Sequence, residues 1–280
     1  MKKLISAAAV LAAMGALTFT SFADTTVHVT ISDAEGNLAV ADRTVTVSDI
    51  DEDGALTIND ALYAAHELYY SQGAAGGYET ATGDYGLMIT KLWGTENGGS
   101  YGYYVNNASA FSLSDPVSDG DYLNAFVYTD LTAWSDTYCY FDKNDYISGD
   151  GLVELTLSGA GFDDDWNPIT VPIEGAEITV NGEKTGAVTD ANGKAVLQFT
   201  KDQEALISAV SDTQTLVPPV CRAYIQIASN SAAEVTAASD VSAEAASSKG
   251  SPDTGIADVA AVAGIAIVAA GALVVTKKRK

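Results

Sequence analysis

The most constraining feature of this 280-residue chain is an apolar run near its end. The 21 residues from Ile256 to Thr276 carry a single ionisable side chain, that of Asp258. A helix of about 20 apolar residues is long enough to cross the hydrocarbon core of a bilayer. Four cationic residues, 277–280, follow at once and are expected to stay on the cytoplasmic side. The run therefore predicts a transmembrane segment at 256–276, and globular structure is expected only before it.

The five residues before this segment are Ser251, Pro252, Asp253, Thr254 and Gly255. This pentapeptide, the apolar span and the basic tail together resemble the LPXTG-like cell-wall sorting signal of Gram-positive surface proteins. The resemblance implies that a sortase thiol attacks the carbonyl of Thr254 and joins the chain to peptidoglycan after a transient stay in the membrane. Ser251 stands where the common motif has Leu, which leaves the sortase class open. The alternative is an ordinary C-terminal membrane anchor.

The amino-terminal end has the pattern of a secretory signal peptide. Two lysines precede an apolar stretch from Leu4 to Phe19, and Ser21 and Ala23 supply the small residues that a signal peptidase recognises. We expect cleavage after Ala23, so that residues 1–23 are removed and the mature chain is exported. The two ends together predict a location at the cell wall of a Gram-positive bacterium.

The exported part is strongly acidic. Residues 24–254 contain 36 Asp and Glu against 8 Lys and Arg, which gives a formal charge of −28. Such an excess argues against nucleic acid or an anionic membrane as a partner. It suits a soluble surface protein and favours divalent cations as ligands, although a solvated acidic surface is the simpler explanation.

A change of composition marks the end of the folded body. Residues 229–250 are mostly Ala, Ser, Thr, Glu and Asp, with no aromatic residue. This composition cannot bury enough apolar surface to fold, and its position before the sorting signal (251–280) indicates a wall-spanning spacer. About 205 residues remain, enough for two modest domains. We place the first domain at 24–142 and the second at 146–228.

The first domain is predicted to combine short strands with one helix. Residues 25–31 alternate apolar and polar side chains, as in a half-buried strand, and 44–47 is a second β-rich stretch. Thr57 and Asp60 then have the spacing of a capping box, and we expect Gly73 to end the helix. The helix itself is predicted by an apolar stripe at Ile58, Ala61, Leu62, Ala65, Leu68 and Tyr69. Further strands are expected within 87–93, 102–105 and 122–129.

Three short motifs of this region, at residues 57–62, 102–107 and 118–122, resemble one protein family. Over roughly residues 24–140 the chain is similar to the uncharacterised bacterial family related to the C-terminal domain of transcobalamin and intrinsic factor. The resemblance implies an α+β, β-grasp-like fold. It does not imply a ligand, because the vitamin-binding members hold cobalamin between two domains and nothing here resembles their helical partner domain.

Aromatic residues are concentrated in the first domain. Thirteen of the 14 tyrosines lie between residues 63 and 146, and tyrosine is favoured on binding surfaces because it is amphipathic and has few rotatable bonds. We predict an aromatic face that binds a small molecule or glycan, formed by Trp93, Tyr101, Tyr103 and Tyr104. The alternative is that these rings only fill a tyrosine-rich core and its rim.

Residues 49–60 match a calcium-binding loop of the EF-hand or dockerin type. Oxygen ligands recur at alternating positions, and Gly54 at the sixth position permits a sharp turn. The predicted calcium ligands are Asp49, Asp51, Asp53, the carbonyl of Ala55, Thr57 and Asp60. The chain has no second loop of this kind, as a dockerin module would. A turn at Asp53 and Gly54 followed by a helix cap at Asp60 explains the same residues without a metal.

Short β-rich runs recur through the second domain, at 152–157, 169–173, 176–180, 187–189, 195–199, 205–210 and 223–227. This spacing predicts a β-sandwich, with a hairpin turn at 190–193. Residues 188–195 resemble the hairpin of bacterial Ig-like and carboxypeptidase-regulatory-like surface domains, which implies an Ig-like sandwich. Cys139 and Cys221 are the only cysteines. Export permits a disulfide between them, and we predict this bridge.

The chain lacks the residue patterns of common enzymes. Its only histidines are His28, on a predicted strand, and His66, opposite or beside the apolar stripe of the helix. No nucleophile turn, zinc motif or phosphate loop occurs, and neighbouring carboxylates are expected by chance in so acidic a chain. We therefore expect a non-enzymatic surface protein that binds a ligand. The alternative is a structural or adhesive protein that contacts host or neighbouring cells.

Overall fold

A computed structural model of the chain describes residues 25–84, 86–165 and 167–227. These residues are mostly β structure, arranged in several sheets. The expected signal peptide, spacer, sorting signal and transmembrane segment lie outside the described residues. Within the described ranges, no helix combines the length and apolar character needed to cross a membrane.

The first half of the described chain contains seven strands and two helices. They are β1 (Thr25–Ser32), β2 (Leu38–Val47), α1 (Ile58–Tyr69), α2 (Gly73–Gly77), β3 (Glu79–Gly83), β4 (Gly86–Lys91), β5 (Tyr101–Val105), β6 (Ala108–Ser109) and β7 (Tyr122–Val127). One sheet has the strand order β2-β1-β7-β5-β6, and β3 and β4 form a separate antiparallel pair. The alternation seen in residues 25–31 marks β1 correctly, since Val27, Val29 and Ile31 have no exposed surface.

The helix predicted from the apolar stripe is α1, and it has the predicted capping box. The N–H of Thr57 donates to Asp60 Oδ2 at 2.8 Å, and the N–H of Asp60 donates to Thr57 Oγ1 at 3.4 Å. The first four stripe residues are buried, but Leu68 is 61% exposed. Gly73 does not end α1, which stops at Tyr69. It begins α2 instead, with φ of +65°.

Ten strands make up the second half. They are β8 (Thr137–Phe141), β9 (Asp145–Ser148), β10 (Leu152–Phe162), β11 (Pro168–Pro172), β12 (Glu177–Val180), β13 (Glu183–Val188), β14 (Lys194–Gln198), β15 (Gln203–Val210), β16 (Leu216–Val217) and β17 (Cys221–Ile225). One sheet has the order β11-β10-β8-β16, with β14 also paired to β10, and the other has the order β13-β12-β15-β17-β9. β16 pairs with β8 and β17 with β9 in parallel, whereas the remaining pairs are antiparallel.

Apolar side chains of these two sheets form one buried cluster. Leu157 of β10 and Ile207 of β15 have no exposed surface, and Val153 and Leu155 are buried at the alternate positions of β10. Burial of apolar area at about 25 cal/mol per Å² is the main favourable term for such a core. The two sheets therefore pack against each other through their alternating apolar faces.

Contacts divide the described residues into two units, one formed by residues 25–29 and 43–125 and the other by residues 30–42 and 126–227. The division passes through β1, β2 and β7. Residues 137–141, which the sequence assigned to the first domain, form β8, and Phe141 pairs with Leu157 of β10. Inside the second unit, the Arg222 guanidinium donates to the carbonyl oxygens of Ala41 at 2.7 Å and Asp42 at 3.1 Å. These bonds connect residues 30–42 to strand β17.

The segment 190–193 is a turn, but it does not join two strands of a hairpin. It connects β13 to β14, and these strands belong to different sheets. Asp190 Oδ1 accepts from the N–H groups of Asn192 and Lys194, at 2.8 and 2.9 Å. Gly193 has φ of +75°, and a Cβ there would lie 2.2 Å from the carbonyl oxygen of Leu157. Only glycine fits this close approach to β10.

The predicted disulfide is absent, because Cys139 and Cys221 are both free and buried. Cys139 lies on β8 and Cys221 on β17, in different sheets. The Cys139 thiol donates to the carbonyl oxygen of Val217 at 3.3 Å. Burial raises the pKa of both thiols, that of Cys221 to about 12. Each cysteine therefore acts as a small apolar core residue.

Candidate functional site

The acidic loop, residues 49–54, brings three carboxylates together before α1. Carboxylate oxygens of Asp49, Asp51 and Asp53 lie within 4.8 Å of one another. Asp49 accepts from the N–H groups of Asp53 and Gly54, at 3.2 and 2.9 Å, and these bonds close the loop. Gly54 has φ of +87°, which the tight turn requires. Oxygens this close suit a cation that binds oxygen at about 2.3–2.6 Å.

The charges of the acidic loop repel one another. Desolvation, followed by the charges of Asp53, Asp60 and Asp49, raises the pKa of Asp51. Neighbouring negative charges disfavour the ionised carboxylate, and a bound cation would reverse this effect. Asp51 and Asp53 are exposed to solvent, so water screens part of the repulsion.

Two of the predicted ligands serve another purpose. Asp60 is fully buried. Its Oδ1 accepts from the N–H of Ile50 at 3.0 Å, and its Oδ2 accepts from the Thr57 hydroxyl at 2.7 Å. Thr57 and Asp60 thus form the helix cap, as the metal-free alternative expected. The N–H of Ala55 donates to Asp53 Oδ1 at 2.8 Å. The structure therefore brings together three of the four predicted carboxylate ligands, those of Asp49, Asp51 and Asp53.

A second group of interacting side chains, the aromatic cluster, consists of His66, Tyr70, Tyr78 and Trp93. The His66 ring stacks on Tyr78 with the centroids 4.9 Å apart, and it lies 5.3 Å from the Trp93 ring. Tyr70 meets Trp93 edge to face at 5.1 Å. Such pairs contribute about 0.5–1.5 kcal/mol each beyond the burial of their area. The cluster connects α1 and α2 to the segment after β4.

His66 is held as a neutral ring at the centre of the aromatic cluster. Its side chain has no exposed surface. Nδ1 lies 2.7 Å from the carbonyl oxygen of Leu62, so this nitrogen carries the proton, and Nε2 accepts from the N–H of Trp93 at 3.2 Å. Burial lowers the pKa of His66 from 6.5 to about 4. Both ring nitrogens are satisfied, and neither is available to act as a base.

Trp93 is half-buried, and its backbone is fixed in an uncommon conformation with φ of +50°. The N–H of Gly94 donates to the carbonyl of Gly77 at 2.9 Å. A Cβ at Gly94 would lie 2.2 Å from the Tyr70 hydroxyl, and one at Gly77 would lie 2.6 Å from the Tyr70 ring. The absence of side chains at these two glycines therefore makes room for the Tyr70 ring beside Trp93.

The four predicted ligand-binding rings do not share one face. Tyr101 and Tyr103 lie on one side of β5, and Tyr104 on the other, because side chains alternate along a strand. All three are half-buried. The Tyr101 hydroxyl lies 2.8 Å from the carbonyl oxygens of both Thr90 and Thr95, so it holds the segment between β4 and β5 in place. Burial and then the charge of Asp115 raise the pKa of Tyr103.

Sequence reasoning missed the central role of His66. Its signal was available, because Ile58, Leu62 and His66 recur every four residues along one side of α1. Tyr78 was also missed. It is buried, and its hydroxyl donates to Asn59 Oδ1 at 3.1 Å. A buried polar ring of this kind needs a partner, and the partner comes from the first turn of α1.

Comparison with known protein families, with curated proteins and with solved structures finds no match to this chain.

Proposed function

We propose that this chain is a non-enzymatic, ligand-binding protein of the Gram-positive cell surface, exported and then joined to peptidoglycan by a sortase. One observation carries the anchoring: the Pro-x-Thr-Gly sequence at 252–255 stands directly before an apolar run and a basic tail. The export signal at 1–23 and the acidic body agree with an outward location. In this proposal the first unit binds the ligand and the second holds it away from the wall.

The finer fold proposed is a β-grasp-like α+β domain followed by an Ig-like sandwich. In support, one twelve-residue helix accompanies the first sheet, and two sheets with alternating apolar faces follow. A sandwich in the second domain suits a cell-surface protein, because this architecture recurs in many cell-surface domains. Sheet order alone names no ligand.

For ligand capture, Trp93 is the strongest of the four predicted rings. It is half-buried and rigidly placed, and its partner Tyr70 is half-buried beside it. A small molecule or glycan would stack on the part of the indole that remains accessible. Rigid aromatic anchors often dominate binding energy. In the alternative function, adhesion to host or neighbouring cells, the tyrosines of the same domain would contact the other cell and no small ligand would bind.

Anchoring is tested by Thr254→Ala, with Asp253→Asn as the matched control at the variable position of the motif. Cells expressing each variant are fractionated, and the wall is digested with a peptidoglycan hydrolase. We expect wild type and the control to be released with attached peptidoglycan fragments, and Thr254→Ala to stay in the membrane or the medium. Equal release of all three proteins without such fragments would refute sortase anchoring.

Ligand capture is tested by a screen of corrinoids, haem, glycans and mucin against residues 24–250, read by calorimetry. Loss of the Trp93 ring should reduce the binding free energy of a stacked ligand by about 2 kcal/mol, which is roughly thirtyfold in affinity. Trp134→Ala, a tryptophan variant of the second unit, is the control and should leave the affinity unchanged. If no ligand of the screen binds, the capture role is refuted, and loss of cell adherence in a variant with Tyr101, Tyr103 and Tyr104 replaced would then favour adhesion.

The acidic loop is proposed as a calcium site built on Asp49, Asp51 and Asp53, with the remaining ligands from backbone carbonyls or water. A millimolar calcium concentration should raise the melting temperature, because the ion binds only the folded loop. Asp49→Asn with Asp51→Asn should abolish this response. Asp163→Asn with Asp164→Asn removes two equivalent charges from another loop and should not. Identical melting of the wild type with calcium and with chelator would exclude the metal.

A further inference from the structure

The loop between β7 and β8, residues 129–136, exposes two large apolar side chains. Leu131 is 50% exposed and Trp134 is 61% exposed. Both residues belong to the second unit, and neither is among the residues assigned to ligand capture above. Single exposed apolar side chains are ordinary on protein surfaces, whereas adjacent ones mark interaction sites, and Trp134 is hydrogen-bonded directly to the backbone of Leu131.

Two carboxylates hold this loop in one conformation. Asp130 Oδ1 accepts from the N–H groups of Thr132 and Ala133, at 2.9 and 3.0 Å, and its Oδ2 accepts from the Ser135 hydroxyl at 2.7 Å. Asp136 receives three further bonds, from the N–H and the hydroxyl of Thr129 and from the N–H of Asp130. The loop is therefore ordered before any partner binds, which reduces the entropy lost on binding.

The indole of Trp134 presents only its ring to a partner. Its Nε1–H donates to the carbonyl oxygen of Leu131 at 3.1 Å, so its single polar group is already satisfied. The ring lies 6.0 Å from that of Tyr128 at an interplanar angle of 34°, and the Trp134 backbone has φ of +54°. A partner must therefore contact the indole through its π face or edge rather than by a hydrogen bond.

The surroundings of the indole are negative. Both carboxylates of the loop accept hydrogen bonds from its backbone and hydroxyl groups. The hydrogen bonds from Ala133, Ser135 and Thr132 lower the pKa of Asp130 to about 2. The full chain has a formal net charge of −23 at pH 7. An indole face attracts cations within about 6 Å, and a negative field increases their local concentration.

We propose that loop 129–136 is a docking site for a basic peptide segment of a partner protein. In the proposed complex, an arginine or lysine of the partner stacks on the Trp134 ring, with its cationic head near Asp130 and Asp136. Leu131 contacts the aliphatic part of the same segment. The proposal goes beyond the function assigned above, because it depends neither on sortase anchoring nor on the aromatic cluster.

The test uses the full chain in nanodiscs of zwitterionic lipid, and fluorescein-labelled hexa-arginine as the probe, read by fluorescence anisotropy. Hexa-citrulline, which has the shape of the probe without its charge, is the ligand control. Empty nanodiscs give the background. Phe111→Ala is the matched protein control, since it removes an aromatic ring that is 85% exposed in the first unit and leaves the net charge unchanged.

We expect hexa-arginine to bind, hexa-citrulline to bind far more weakly, and Trp134→Ala to weaken hexa-arginine binding about fivefold or more. Phe111→Ala should bind like wild type, and Trp134→Phe should retain part of the affinity. Leu131→Ser offers a second variant should Trp134→Ala fold poorly, as judged by circular dichroism. Equal affinity of wild type, Trp134→Ala and Leu131→Ser would overturn the proposal, because the attraction would then be general.

The same proteins and the hexa-arginine probe also distinguish two other occupants of the loop from a basic peptide. Binding of the neutral sugar chitotriose that is lost in Trp134→Ala, with no loss of hexa-arginine binding, would assign the loop to glycans and overturn the proposal. Concentration-dependent self-association that is lost in Trp134→Ala, again without a change in hexa-arginine binding, would assign it to a second copy of this chain.

Discussion

The buried His66 should make the stability of this protein sensitive to mild acid. In the folded chain its pKa lies at about 4, against 6.5 for an exposed histidine. Between pH 4 and pH 6.5 the histidine of the unfolded chain is therefore protonated, whereas His66 of the folded chain is not. Because the folded pKa of this base is lowered, the stabilising contribution is complete above pH 6.5 and is lost as pH falls toward 4.

The size of the effect follows from the two pKa values. Their separation corresponds to about 3 kcal/mol for the complete transition, and linkage places about 2 kcal/mol of it between pH 7 and pH 5. The rings around His66 belong to Tyr70, Tyr78 and Trp93, and none of them provides a carboxylate that could pair with a protonated imidazole.

The assay is urea unfolding of residues 24–250 at pH 7 and pH 5, followed by circular dichroism and tryptophan emission. His66→Gln keeps a donor and an acceptor but cannot titrate, so it should lose about 2 kcal/mol less stability than wild type over this interval. His28→Gln replaces the histidine that stacks on Tyr122, outside the aromatic cluster, and should behave like wild type. If His66→Gln and wild type lose the same stability, the assignment of a neutral, buried His66 is wrong.

Three further outcomes are expected. Asp60→Ala should lower the free energy of urea unfolding by about 2 kcal/mol, because it leaves buried donors of the helix cap unpaired. A loss that appears only with calcium present would show that Asp60 is a metal ligand instead. Gly193→Ala should lower the free energy of unfolding by more than about 1 kcal/mol. The loss should exceed that of Gly186→Ala, because Gly186 has φ of +76° but open space where its Cβ would lie. Equal losses would contradict the clash with Leu157. Both thiols should resist alkylation in the native protein and react fully in urea without reductant, as read by intact mass; unreacted thiols in urea would restore the disulfide.

Local patterns predicted the elements of this fold much better than their partners. The stripe beginning at Ile58 located α1 and its first residue, because burial of one helical face leaves a periodic pattern in the sequence, whereas the expected end at Gly73 was wrong. The β-rich runs located most strands of the second half for the same reason. Pairing is a different matter, since alternation records which face is buried and not which strand lies alongside. The turn at 190–193 illustrates this, because its residues suit a hairpin while β14 pairs with β10.

The candidate site shows the same limit. The spacing of Asp49, Asp51 and Asp53 predicted that their carboxylates would lie close together, because alternate residues of one tight loop are near one another in space. Asp60 fits the same spacing, yet its oxygens are taken by Thr57 and Ile50. A ligand pattern and a capping box contain the same residue types, and only the hydrogen bonds distinguish them. The aromatic cluster depended on contacts from separate segments, which no local pattern records.

Three aspartates of the described residues form the same hydrogen-bonded turn, and two of them bear on the response of the protein to pH. Asp33, Asp163 and Asp190 each accept through Oδ1 from the N–H groups two and four residues later, which is the same turn used three times. The side-chain amide of Asn167, followed by the backbone N–H of the same residue, lowers the pKa of Asp163. The backbone N–H groups of Lys194 and Asn192 lower the pKa of Asp190. A carboxylate whose pKa is lowered in the folded state stabilises the fold at pH values above its ordinary pKa of 3.8. This contribution is lost as the pH falls through the folded-state pKa. Acid should therefore act in two stages, first through His66 between pH 6.5 and 4, and then through Asp163 and Asp190 below pH 4. His66→Gln should remove the first stage and leave the second.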